Sequence, residues 1–263
     1  MLRAELLHLF RRRRIHALLG VLAALPVVIV FVLKFAGGPG NGEGPTFLNQ
    51  VTNNGVFAAL TITLPVFLPL AVSIVAGDAI AGEATQGTLR YLLARPTGRT
   101  RLLVAKAVAV VVFCFVATLA VAVAGLVVGS ILFPVGRVVT LSGDTLSLWS
   151  GILRIVGAAG VVSLSLLGLA AIGLFASTLT DVAIGAMAGT LGVLILSGVL
   201  DAIPQLSAIH PWMFTHGWLS FGDLLRTHVT WTAIGKNLAL QAGYVLVFAT
   251  AAWARFTTKD VLA

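Results

Sequence analysis

The chain has 263 residues, 59% of them hydrophobic and only 10% charged, with 17 Lys and Arg against 9 Asp and Glu for a net charge of +8. So little charge cannot solvate the surface of a water-soluble domain of this size, and a mean hydropathy of +1.05 points to a bilayer instead. The basic excess gathers at the ends of apolar runs, which membrane topology explains and nucleic-acid binding does not, and the single cysteine, Cys114, rules out an intrachain disulfide.

In chain order, residues 1–14 place Leu2, Leu6, Leu9 and Phe10 on one helical face, with Arg3, Arg11 and Arg12 away from it. This predicts an amphipathic helix lying on the membrane surface, with a plain basic flank as the alternative. Residues 15–36 form the first predicted span. Arg11 to Arg14 before it invite a signal-peptide reading, but the apolar run is too long for a signal core, and Lys34 rather than a cleavage site lies near its end. A retained signal-anchor helix is expected. Residues 37–54, rich in Gly, Pro and Asn, read as an irregular external connection.

Further spans are predicted at 56–80, 107–133, 152–176, 182–200 and 234–254, each close to the roughly 20 apolar residues that cross a hydrocarbon core. Pro65 and Pro69 are expected to kink the second. Only Ser177, Thr178, Thr180 and Asp181 mark the turn between the fourth and fifth. The segment 201–231 is aromatic and lightly charged, with Pro204, Pro211, Trp212, Phe214, Trp218 and Phe221, and predicts short re-entrant external helices packed on protein. The whole chain, 1–263, thus reads as a single all-α transmembrane domain of six spans.

Basic residues set the orientation. Arg3, Arg11 to Arg14, Arg90, Arg95, Arg99, Arg101, Lys106, Arg255 and Lys259 share one side of an alternating six-span layout. The other side keeps Lys34, Arg137, Arg154, Arg226 and Lys236. The richer side is read as cytoplasmic, which puts both termini there and the protein in the cell inner (plasma) membrane. Trp149, Trp212, Trp218 and Trp231 then fall in external loops and Trp253 at the inner end of the last span, as expected of indoles at headgroup depth.

The missing motifs are informative. No G-x-x-x-x-G-K-[ST] occurs, since Gly235-Lys236 lacks the upstream glycine and is followed by Asn237, so no P-loop binds ATP here. Neither H-E-x-x-H, G-x-S-x-G nor a paired-cysteine metal site is present. His210, His216 and His228, with Asp201 and Asp223, share one external segment, but at no ligand spacing of a known pattern, and read as interfacial residues rather than a metal site. Every acidic residue falls in a loop or near a span end. A proton-driven carrier needs an ionisable group near the midplane, and the predicted spans offer none.

The richest segment is 82–106, between the second and third spans. Leu89, Leu92 and Leu93 recur at helical spacing and Pro96 ends the run, so a short amphipathic helix over 83–95 is predicted. Periodicity alone admits either an interfacial turn of the chain or a docking helix for a soluble partner.

This segment resembles the signature of ABC-2 type permeases, the membrane subunits of ATP-binding cassette exporters. The resemblance rests on Glu83, Gly87-Thr88-Leu89, Leu92-Leu93, Pro96, Arg99 and Lys106, with a weaker echo in Phe256-Thr257-Thr258-Lys259-Asp260. It implies a coupling helix seated in a cleft of a separate ATP-binding subunit, with Glu83, Gly87, Thr88, Leu89, Arg90, Leu92, Leu93, Pro96 and Arg99 making the contact. It also implies a second permease subunit, usually an identical copy, and two ATP-binding subunits that hold ATP and Mg; this chain itself is expected to hold no cofactor and catalyse nothing. The family's second and fifth spans line a path between two permeases. The matching positions here are Thr61, Thr63, Pro65, Ser73, Thr190 and Ser197, whose small size packing explains equally well. Scarce charge along the spans leans towards hydrophobic, amphipathic or lipid-like cargo. The alternatives are a non-transporting structural or regulatory membrane subunit and a membrane-embedded enzyme. The enzyme would need polar groups converging at one depth.

Overall fold

The computed structural model of the protein describes residues 2–35, 55–87, 98–132, 138–139, 145–146, 148–226 and 228–258. The helices are α1 (Leu2–Arg11), α2 (Arg13–Phe35), α3 (Gly55–Thr63), α4 (Phe67–Thr85), α5 (Arg99–Leu132), α6 (Leu148–Ser165), α7 (Leu167–Leu179), α8 (Ala183–Asp201) and α9 (Trp231–Thr258). Three 3-10 segments, Pro204–Leu206, His210–Trp212 and Trp218–Leu225, precede α9. The described residues depart from the all-helical expectation at one place, a two-residue antiparallel pair of β1 (Val138–Val139) and β2 (Thr145–Leu146). Among these residues five helical stretches are long and apolar enough to cross a membrane, namely α4, α5, α6 with α7, α8 and α9. The protein is a multi-pass helical membrane protein.

The predicted second span is two helices. Thr63 ends α3 and Phe67 begins α4, and Pro65 lies in the turn between them. Proline offers no backbone N–H and disfavours helical geometry in the residue before it, so the break falls there. Pro69 kinks nothing: it sits in the first turn of α4, where its missing N–H has no partner to lose. The predicted fourth span is interrupted more gently, at Leu166, whose N–H is shared between the carbonyls of Val162 (3.2 Å) and Ser163 (3.3 Å). The hydroxyls of Ser163 and Ser165 donate to the carbonyls of Ala159 and Val161, each at 2.8 Å, a pattern that bends helices. The third span starts eight residues before its predicted boundary. At 34 residues α5 is about 51 Å long, more than a hydrocarbon core needs.

Helices α4, α7 and α8 meet so closely that two positions between them leave no room for a Cβ. A Cβ on Gly77 of α4 would lie 2.8 Å from the backbone nitrogen of Met187 on α8, and one on Gly173 of α7 would lie 2.7 Å from the Ala76 Cβ. Into the same junction α7 inserts Ser177, whose hydroxyl donates to the Gly77 carbonyl at 2.7 Å and accepts from the N–H groups of Ile80 (2.9 Å) and Ala81 (2.8 Å). Close approach of small residues and side-chain hydrogen bonds across helices are the two means of association left where apolar burial drives little, because lipid is as apolar as leucine.

The ends of the bundle differ in character. At one end lie α1, the end of α4, the start of α5 and the end of α9, where Arg99 donates to the Thr257 carbonyl at 2.9 Å. The far end carries the aromatic segment. Phe214, Trp218, Phe221 and Leu224 are buried there, and the segment Trp218–Leu225 packs on α6 and α9. A polar stripe on α9 holds it: Gln241 donates to the Phe214 carbonyl (2.7 Å), Tyr244 to the Trp212 carbonyl (2.8 Å) and Asn237 to the Ser165 hydroxyl (2.6 Å). Trp218 is a core residue 3% exposed, while Trp212 and Trp231 are exposed. The Trp218 ring meets Phe214 edge-on, with ring centroids 5.7 Å apart.

The Gly77 contact is with backbone and cannot relax by a rotamer change. Gly77→Val is therefore expected to lower stability by about 1–3 kcal/mol, read as a drop in the unfolding temperature of the detergent-solubilised protein. Gly189→Ala is the control, because nothing lies within 4 Å of the position a Cβ would take there. Equal effects of the two would refute the packing account.

Candidate functional site

Residues 88–97, which include Thr88, Leu89, Arg90, Leu92, Leu93 and Pro96, lie outside the described residues. The segment is therefore read from the two helix ends that flank it. Glu83 belongs not to a separate coupling helix but to the last turn of α4, which runs to Thr85. Gly87 takes a left-handed φ of +69, which side chains resist, so the helix stops where glycine permits the turn. On the other side Arg99 opens α5.

A carboxylate in the last turn of a helix faces the negative end of the helix dipole, an unfavourable place for it. Lys106 offsets this. Its Nζ lies 2.5 Å from Glu83 Oε1, with both side chains almost wholly buried, and 3.5 Å from Glu5 Oε2 on α1. The pair thus joins the end of α4 to the second turn of α5 and draws α1 onto both. A second pair sits beside it: Arg12, in the turn between α1 and α2, donates to Asp78 Oδ2 at 2.7 Å and meets His8 at 2.9 Å. Gly82 makes room for that carboxylate, since a Cβ there would collide with Asp78. The charges line a small cavity of about 70 Å³, whose apolar wall includes Leu9, Ile15, Val75 and Val110. Three carboxylates and two cations brought together here bridge α1, α4 and α5. Structurally the arrangement locks these helix ends together.

Lys106 was legible as the basic residue closing the signature; Glu5, Arg12 and Asp78 were not. Their signal is an acidic residue within an apolar helix, since Asp78 lies inside α4 and a charge at such depth requires a partner.

The six positions proposed for the path do not share one surface. Thr63 and Thr190 are fully buried, with hydroxyls donated to Ala59 (2.6 Å) and Ala186 (2.8 Å) of their own helices. Ser73 is buried and its hydroxyl meets no partner, as is true of the Thr61 hydroxyl. Pro65 lines a larger, mostly apolar cavity of about 390 Å³ towards the far end, between the α3–α4 break, α8 and Trp218. Ser197 reaches its edge through a 2.8 Å hydrogen bond to Thr215. Val66, Leu70 and Ile195 line the same cavity, while Leu196 and Val199 of α8 are exposed outside it.

Of the histidine group, Asp201, His210 and His216 come together at the far end. Asp223 pairs with Arg226 at 2.9 Å.

Breaking the buried pair from one side leaves a charge stranded. Lys106→Met is expected to cost about 3–5 kcal/mol, and the double variant Glu83→Leu with Lys106→Met to recover more than half of that loss. Unfolding of the single and double variants in detergent reads the difference, and additive losses would contradict a direct pair.

Residues 21–262 match the model of a family described as Protein of unknown function (DUF2705). No curated protein matches the chain.

Proposed function

The chain belongs to the DUF2705 family, whose description assigns no activity, and from its own residues we propose that it is the permease subunit of an ATP-binding cassette exporter. The observation that carries the proposal is the Glu83–Lys106 pair. The two residues that bound the ABC-2-like signature are in contact, so the helices entering and leaving 88–97 form one rigid base. A base of this kind suits a short segment that must receive force from a soluble partner without folding away from it.

In this reading 88–97 docks on a separate ATP-binding subunit, which holds ATP and Mg. Leu89, Leu92 and Leu93 anchor in its groove, and Arg90 fixes register. Closure of two such subunits shifts the joined ends of α4 and α5. Because Ser177 and Gly77 clamp α4 to α7 and α8, the shift travels along α4 and α8 to the cavity beside Pro65. Coupling of this sort needs a continuous packed element between the two places, and α4 with α8 is one.

In this reading α2 adds a sixth crossing to the five helical stretches long and apolar enough to span a membrane. Its packing against α1, α3 and α5 is consistent with a first crossing that starts at the α1 end of the bundle. With an even number of crossings both termini share a side, and the basic residues around 90–106 make that side cytoplasmic. The exposed apolar face of α8 suits lipid or a second permease copy, identical or related, and the apolar cavity suits amphipathic cargo over small ions.

Purification from native membranes is expected to recover an ATP-binding protein with this chain. Leu93→Asp should abolish that association and the stimulated ATP hydrolysis while leaving the chain's own unfolding temperature unchanged. Failure to recover any ATP-binding protein, or full coupling in Leu93→Asp, would overturn the proposal.

A further inference from the structure

The far end of α8 carries a constellation that the proposed transport role does not use. One ligand atom from each of Asp201, His210 and His216 lies within 4.8 Å of the others. They come from different elements: Asp201 closes α8, His210 opens the second 3-10 segment, and His216 lies in the turns before the third. We propose that these three side chains bind one divalent transition-metal ion, zinc in the first instance, which clips the external segment to the end of α8.

The donor chemistry fits. Two imidazoles and one carboxylate, with a position left open, form a donor set that zinc takes readily, and the only cysteine, Cys114, is buried far along α5. The Nε2 of His210 lies 3.0 Å from the Ile203 carbonyl. A carbonyl only accepts, so Nε2 carries the proton and Nδ1 keeps the lone pair that a metal requires. A histidine ligand fixed by a backbone carbonyl on its other nitrogen is the usual way a protein orients such a ligand. The carboxylate sits at the last residue of α8, where the negative end of the helix dipole favours a cation. His216 Nδ1 and Asp201 Oδ1 are 2.6 Å apart. A tetrahedral ion with donors at about 2.0–2.2 Å sets them about 3.4 Å apart, so this pair opens by about 0.8 Å and the widest separation closes by at most about 1.4 Å, within reach of rotamer changes.

The site also has a place in the fold. Asp201 and Thr215 line the 390 Å³ cavity beside Pro65, so an ion here would fix one wall of it.

The test uses the full chain in detergent, stripped with a chelator that is then removed. Zinc is titrated against a chromophoric competitor, and cobalt is added separately to read ligand-field absorption. One zinc equivalent is expected to bind, with a visible cobalt band of a four- or five-coordinate site. His210→Ala and Asp201→Asn should each weaken zinc at least tenfold, while His228→Ala leaves it unchanged. Affinity untouched by His210→Ala and Asp201→Asn, or lost in His228→Ala, would overturn the assignment. Should a variant fail to fold, the wild-type titration decides: no stoichiometric binding and no cobalt band in the micromolar range would refute the site. None of these readings involves nucleotide or an ATPase, so they stand apart from the transport proposal.

Discussion

A polar atom inside a bundle this apolar has no water to turn to, and the need to satisfy it from within decides where the helices touch. Backbone groups are served by the helices themselves. What remains are side chains, and nearly every strong inter-helical tie in the fold runs through one. Ser177 takes three backbone partners on α4, Asn237 and Gln241 bind α6 and the aromatic segment to α9, and Lys106 joins α4, α5 and α1. Apolar contact fills the space between these points but does not distinguish one helix pairing from another. Leucine packs as well against lipid as against leucine, whereas an orphaned lysine or asparagine does not.

The charged lock makes the point with magnitudes. A buried ion pair contributes little net stability over a well-packed apolar pair, because desolvation consumes the Coulomb gain. Its value is conditional: once Lys106 is committed to the interior, any arrangement that separates it from Glu83 costs several kcal/mol. The pair therefore acts as a register pin. It permits one relative placement of the ends of α4 and α5, and Glu5 extends the condition to α1. The Arg12–Asp78 pair repeats the logic nearer the start of α2.

How much of this was legible follows the length scale of each feature. Spans are local and long, so the multi-pass helical character and the approximate bounds of five of them could be read from hydropathy, and the break at Pro65 from the chemistry of one residue. The break at Leu166 could not, because it arises from two serines bonding to their own helix rather than from a breaker. Glu83 was legible as part of a signature but was assigned to the wrong element: nothing local says that α4 continues to Thr85, since Gly87 stops it only through a backbone angle. Lys106 and Glu83, 23 residues apart, were legible as two ends of a signature but not as a contact, and Arg12 and Asp78, 66 apart, share no period or motif. The burial of Trp218 was not legible for a related reason, since the packing of Phe214 and Phe221 around it is particular to the fold.

The same reasoning explains why Asp201, His210 and His216 read as unrelated. Ligand patterns are recognisable when regular helices or tight knuckles impose a spacing, as in two histidines one turn apart. Here the intervals are set by short 3-10 turns whose course depends on Gln241 and Tyr244 holding the carbonyls of Phe214 and Trp212. The convergence of the three side chains is thus a consequence of α9, a helix that begins fifteen residues after His216. Helix α8 then carries a polar anchor at each end: at its start the Ala183 N–H donates to Thr85 of α4 at 3.2 Å, and at its last residue Asp201 holds His216. Between them its outward face is exposed and apolar, with Ile184 75% exposed. A helix fixed at both ends and free along one face can turn or shift only if one anchor yields, and those anchors lie at opposite ends of the bundle.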